Sequence, residues 1–233
     1  MFGFAGNEIR KLKIFSTQMN PLFSLLLTIG TTLVFHGCGT PDLTQPDVYQ
    51  EALSKAIDLD SLERKRMYGM IMLFVDSKEE PFTGWVKTES NGSISTLGFI
   101  SKGQKQGMWM AWHPNGQKLS EIVWENDLMS GSFRTWHENG QVGTIGQTRD
   151  GEVDGAWKEY YENGKLEAQS INKMGTLVRI EVFMADGSYC KNSKVTQGRG
   201  TFIDYDTNGS ALRSRTFEKG IEINSTWLSS QKP

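Results

Sequence analysis

The sequence predicts a mainly β fold, one elongated sheet of stacked β-hairpins preceded by a single short helix. Three observations predict it. Asn-Gly or Asp-Gly pairs recur at Asn91-Gly92, Asn115-Gly116, Asn139-Gly140, Asn163-Gly164, Asp186-Gly187 and Asn208-Gly209, spaced 24, 24, 24, 23 and 22 residues apart. Ahead of most pairs runs Gly-x-aromatic-x-x-aromatic-x-x-Asn-Gly, as in Gly107, Trp109, Trp112, Asn115, then Gly131, Phe133, Trp136, Asn139, then Gly155, Trp157, Tyr160, Asn163. A period in the twenties marks units too small to bury a hydrophobic face alone, which must stack on their neighbours.

In chain order, residues 1–38 read as a signal peptide. Arg10, Lys11 and Lys13 precede an apolar run from Pro21 to Phe35 that ends at His36-Gly37-Cys38. About 15 residues is short for a membrane span and suits a signal core. Gly37-Cys38 resembles a lipoprotein processing site, with Cys38 as the lipidated first residue, although Phe35 and His36 depart from the usual pattern. Lipidation would place the protein on the envelope membrane. A simple anchor and a cleaved, unlipidated form are the alternatives. A start at Met19 would leave a signal without basic residues, and a cytoplasmic location if that signal is unused.

Residues 39–66 read as a tether and an amphipathic helix. Pro46-Asp47 opens it with Asp47 as N-cap and Gln50 three residues on, and Tyr49, Ala52, Leu53, Ala56 and Ile57 form one apolar face. The helix is expected to reach Arg66 and to cap the first hairpin, protecting a sheet edge. The apolar run Tyr68 to Val75 is expected to start the sheet as a buried strand.

Residues 67–233 form the hairpin repeats. A two-residue type I′ turn needs positive φ at both central residues, which Asn and Gly tolerate best, so each pair is a hairpin tip. The following strand is more polar, as in Lys118 to Trp124, Lys165 to Ile171 and Ala211 to Phe217. Returns at Lys102-Gly103, Asp127, Asp150-Gly151 and Lys219-Gly220 lead to the next hairpin. The final copy keeps Gly200, Phe202, Tyr205 and Asn208. The one before it is degraded, with Val178 in the glycine place.

Two aromatic ladders follow, Trp109, Phe133, Trp157 and Trp112, Trp136, Tyr160. Residues three apart on a strand face opposite sides. Stacking is expected to bury both rows, at roughly 2 to 3 kcal/mol per large side chain. The alternative leaves one row open as a groove for a peptide, glycan or lipid. These six aromatics are the candidate binding surface.

Glu80-Pro81-Phe82-Thr83-Gly84 followed by Asn-Gly hairpins with Gly-x-Trp-x-x-Tyr strands resembles the bacterial MORN-repeat-variant proteins, often labelled YwqK-like antitoxins, from about Met67 to Trp227. The resemblance implies a repetitive β-sheet, a binding role and a toxin as the protein partner. By analogy with MORN proteins more widely, it also implies membrane-proximal scaffolding and dimerisation.

Other chemistries find little support. Without residues 1–38 the chain holds 22 basic against 26 acidic residues, with no basic stripe for nucleic acid. With Cys38 acylated, Cys190 has no disulfide partner, and two cysteines cannot build a Cys-x-x-Cys zinc site. His113 and His137 share one slot of the repeat, about 10 Å apart, too far for one metal ion. Asp150-Gly151-Glu152-Val153-Asp154-Gly155 imitates a calcium loop, but Tyr161 stands where its twelfth residue should be Glu. No cofactor and no catalytic residue are expected. The expected function is a non-enzymatic, envelope-tethered protein-interaction module, antitoxin- or immunity-like by resemblance. A structural or glycan- or lipid-binding lipoprotein is the alternative, and open sheet ends would allow a homodimer.

Overall fold

The computed structural model describes residues 40–67, 69–75, 78–206 and 208–228. The expected signal segment, its Cys38, and Tyr68 lie outside them. Helix α1 (Pro46–Lys55) is followed by a two-residue strand β1 (Ile57–Asp58), a 3-10 turn at Leu59–Ser61, and a ribbon of β2 (Glu63–Met67) and β3 (Met70–Phe74). Then come β4 (Gly84–Ser90), β5 (Ser93–Ser101), β6 (Gln104–Trp112), β7 (Lys118–Glu125), β8 (Leu128–Trp136), β9 (Val142–Arg149) and β10 (Glu152–Tyr160). The rest is β11 (Leu166–Lys173), β12 (Thr176–Phe183), β13 (Tyr189–Thr196), β14 (Arg199–Tyr205), β15 (Ala211–Glu218) and β16 (Ile221–Trp227). Strand β1 and strands β4 to β16 form one 14-stranded sheet in chain order, while β2 and β3 pair apart from it. The predicted sheet of successive hairpins is the observed one.

The N-terminal elements differ from expectation. The helix starts two residues earlier, with Gln45 in place of Asp47 as an N-cap that makes no side-chain bond and Pro46 in the first turn, where its missing N–H costs nothing. It stops at Lys55 instead of Arg66, because Ala56 is extended and Ile57–Asp58 pair in parallel with Val86–Lys87 of β4. Asp58 then accepts a bond from the Asp60 N–H, a local side-chain bond that competes with helix. The run after Tyr68 does not start the sheet. Met70–Phe74 pairs with Glu63–Met67 as the separate ribbon.

The turns also correct the sequence reading. Asn91 and Gly92 both have positive φ, as type I′ requires. At Asn115, Asn139, Asn163, Asp186 and Asn208 only the following glycine does. There the Gly116 N–H donates to the His113 carbonyl and the His113 N–H to the Gln117 carbonyl, a type I turn closed by a left-handed glycine, and the other four repeat this pattern. The side-chain oxygen of Asn115 accepts from the Gln117 N–H at 2.9 Å, fixing the turn. Besides Asn91-Gly92, the two-residue turns with paired positive φ among the described residues are the returns, Lys102-Gly103, Asn126-Asp127, Asp150-Gly151, Met174-Gly175, Gln197-Gly198 and Lys219-Gly220.

Hydrophobic burial is concentrated towards the two ends of the sheet. Near β4–β6, α1 lays Val48 and Ala52 on Trp85, Leu97 and Met110. It covers a face rather than the edge, which β1 occupies. On the other face Leu62, Val86, Ile100 and Trp109 cluster with Leu73 of the ribbon. Near β11–β15, Ala168, Leu177, Ile180, Val182, Val195, Phe202 and Phe217 form a third cluster. Among the described residues, no hydrophobic side chain from Ala111 to Tyr160 is fully buried.

Candidate binding surface

Strand pairing sorts the side chains into two faces, because directly paired residues of neighbouring strands share a side. One register row runs Trp109, Ile122, Phe133, Gly146, Trp157, Ser170, Ile180, Val195, Gly200, Phe217. It is the apolar face. The adjacent row runs Met110, Glu121, Arg134, Ile145, Lys158, Gln169, Glu181, Lys194 and lies on the side covered by α1. This helix face is rich in charge and also carries Trp112, Trp136 and Tyr160, which stand two residues from Met110, Arg134 and Lys158.

The six candidate aromatics therefore form two half-surfaces, as the three-residue spacing requires. Burial is uneven along them. Trp109 is 5% exposed beneath the ribbon side, whereas Trp112, Phe133, Trp136, Trp157 and Tyr160 are half-buried, so the expected burial of both rows fails in the central repeats. Trp112 is shaded by Tyr49 of α1, their ring centroids 6.4 Å apart. Trp136 holds two cations over its ring, Lys118 Nζ at 5.3 Å and the Arg134 guanidinium at 5.8 Å. Lys118 also pairs with Glu121.

On the apolar face the indoles of Trp109 and Trp157 lie flat over glycines of the preceding strands. A Cβ added at Gly98 or Gly146 would sit inside the Trp109 or Trp157 ring. Between them the pair is Ile122 with Phe133, a larger partner beside a smaller ring. Phe133 and Trp157 then meet at 4.8 Å between centroids, tilted by 36°. These glycines stand eleven residues before each Trp, a signal present in the sequence that the Gly-x-aromatic pattern did not include.

The hairpin tips are stitched together. His113 Nε2 donates to the Trp136 carbonyl at 2.8 Å and His137 Nε2 to the Tyr160 carbonyl at 2.7 Å. Tyr161 occupies the same slot and donates its hydroxyl to the Phe183 carbonyl at 2.9 Å. Burial pushes that phenol up to about 12. Beside this ladder, the amides of Asn115, Asn139 and Asn163 donate to the carbonyls of Glu138, Glu162 and Ala185. Both histidines are thus structural latches. Asp154 of the calcium-like stretch pairs with Arg149 at 3.0 Å and caps the Met174 N–H, within a hairpin return.

Residues 153–171 match the model of the MORN repeat variant. The matched stretch is the β10–β11 hairpin, with Gly155, Trp157, Tyr160, Asn163 and Gly164 in their places. One unit of this repeat protein thus matches the MORN repeat variant, and the same Gly-x-aromatic-x-x-aromatic-x-x-Asn-Gly spacing recurs from Gly107 and Gly131. No curated protein matches the chain.

Towards the C-terminal end the apolar face becomes concave. The Leu177 N–H donates to the Gly220 carbonyl and the Gly220 N–H to the Gly198 carbonyl, drawing the returns of β11–β12, β13–β14 and β15–β16 together. A groove of about 430 Å³ results. Trp157 and Glu159 form one side, Arg215 and Glu222 the other, and Phe202 and Phe217 the floor. The floor rings stack at 5.4 Å and 17°, with the Arg215 guanidinium 4.7 Å above Phe202. Cys190 is buried in the same cluster as Phe202 and Phe217, where burial raises its thiol. Among the described residues no three metal-ligating side chains converge, and no helix is long and apolar enough to cross a membrane.

Proposed function

We propose that the protein is a non-enzymatic interaction module that presents Trp112, Trp136 and Tyr160 to a protein partner. Aromatics backed by Arg134, Lys118 and Lys158 have the composition of an interface hot spot. The observation that carries this reading is the missing core. Among the described residues the stretch from Ala111 to Tyr160 buries no hydrophobic side chain fully, although packing another layer on it would stabilise the fold. A surface kept aromatic and half-open at that cost fits recognition better than scaffolding. Of the six candidate aromatics, Trp112, Trp136 and Tyr160 are assigned to this function, Trp109, Phe133 and Trp157 lie on the opposite face, and no catalytic group is assigned.

The finer form of the proposal places the module at a bacterial cell envelope, tethered by a lipid on Cys38, with a toxin-like protein as its partner. The Gly37-Cys38 signal and the YwqK-like resemblance support that placement. Expression of the full chain from Met1 in a bacterial host, recovery from membranes and mass spectrometry of its N-terminus and co-purifying proteins test both parts. An acylated Cys38 with one stoichiometric protein partner is expected. An unprocessed, soluble chain would overturn the envelope placement, and a chain recovered alone would overturn the partner.

A further inference from the structure

The groove on the apolar face differs in chemistry from the charged helix face. Its apolar lining includes a flat, half-buried ring, that of Trp157, across from the exposed Ile221, with hydrogen-bonding groups around it. Gly146 and Phe133 back the Trp157 indole from the β8–β9 side, and its remaining surface lines the groove. Its Nε1 is already bonded to Glu159 at 3.1 Å, so the surface offered is carbon. Around it stand the Glu159 carboxylate, the Ser170 hydroxyl and the Asn172 amide, which are bonded to each other in the case of Asn172 and Ser170. Opposite stands Arg215, held by Glu222 at 2.7 and 2.8 Å.

We propose that this groove binds an uncharged oligosaccharide, one sugar ring stacking its C–H face on Trp157 while hydroxyls bond to Glu159, Asn172 and Ser170. Charge selects the class. The groove's two carboxylates outnumber its single guanidinium, which Glu222 already neutralises, so phosphate or uronate ligands meet repulsion. An acyl chain needs depth, and the floor is closed, with Ile180, Phe202 and Phe217 only 7–8% exposed. An added peptide strand would pair along the outer edge of β16, the last strand of the sheet, whereas the groove lies on the sheet face, with Ile221 and Glu222 of β16 at its border. The volume lies within the ~300–1,000 Å³ of small-ligand clefts, and an aromatic wall with a few convergent polar groups is their usual lining.

The site is separate from the partner surface proposed above, and its test needs no partner. Calorimetric titration of the full chain in detergent uses cellotriose, maltotriose and triacetylchitotriose as uncharged probes and trigalacturonate as the charged control, to about 10 mM. Saturable binding of at least one uncharged probe and none of trigalacturonate is expected. Trp157→Ala and the exposed-site change Glu159→Ala should each weaken it at least about tenfold, while Trp136→Ala on the other face leaves it unchanged. Circular dichroism checks that each variant is folded, and Glu159→Ala carries the test if Trp157→Ala is not. No saturable heat with any uncharged probe, binding that survives Glu159→Ala, or preferred binding of trigalacturonate would overturn the proposal.

Discussion

At the residue scale, side-chain volume is traded between neighbouring strands. Trp157 lies flat only because Gly146 has no Cβ, and Phe133 accommodates Ile122 at the equivalent place. Gly146→Ala should therefore cost about 1 to 3 kcal/mol, the range for overpacking. The double change Gly146→Ile with Trp157→Phe, which copies the Ile122–Phe133 pair, should recover most of that loss. Chemical denaturation of the single and double variants measures the coupling. Equal destabilisation of both would show that the pairing of sizes is not what sets the aromatic's identity. The aromatics themselves were legible in the sequence. Their unequal burial was not, because it depends on α1 and on the β2–β3 ribbon, whose landing places no local pattern specifies.

At the element scale, hairpins are held to one another by more than strand ladders. His113, His137 and Tyr161 each reach a carbonyl of the next hairpin from one slot. A carbonyl only accepts, so the histidine Nε2 must carry a proton. His137→Ala should cost about 1 kcal/mol by leaving the Tyr160 carbonyl without this donor, whereas His137→Tyr should come close to wild type, as Tyr161 shows the slot accepts a phenol. Thermal unfolding of the two variants separates the outcomes, and equal losses would contradict the latch. The hairpin period was readable from Asn-Gly spacing alone, yet the turn type was not. The glycine in each pair is required by a left-handed position, and a three-residue loop uses one such position where type I′ uses two. Helix α1 ended early for a similar reason, since pairing of Ile57 with Val86 is a long-range contact that overrides a continuing helical pattern.

At the scale of the whole repeat domain, packing divides a chemically regular array into well-buried ends and a thin middle. Stability in stacked repeats sums over neighbours, so weakly packed units open locally. Amide hydrogen exchange should be faster in β7–β9 than in β12–β14, where Ile180, Val195 and Phe202 are buried. Uniform protection from β4 to β15 would contradict this distribution. Composition could show that repeats existed but not which would lack a covering layer, because coverage comes from elements outside the repeat. The same thin middle carries the functional reading. The most direct measurement of that reading compares Trp136→Ala with Phe133→Ala, one residue on each face of the same strand, for co-purification of the partner with the membrane-recovered chain. The account predicts that Trp136→Ala loses the partner while Phe133→Ala, if folded, retains it. Retention by Trp136→Ala, or loss confined to Phe133→Ala, would contradict a partner seated on the helix face.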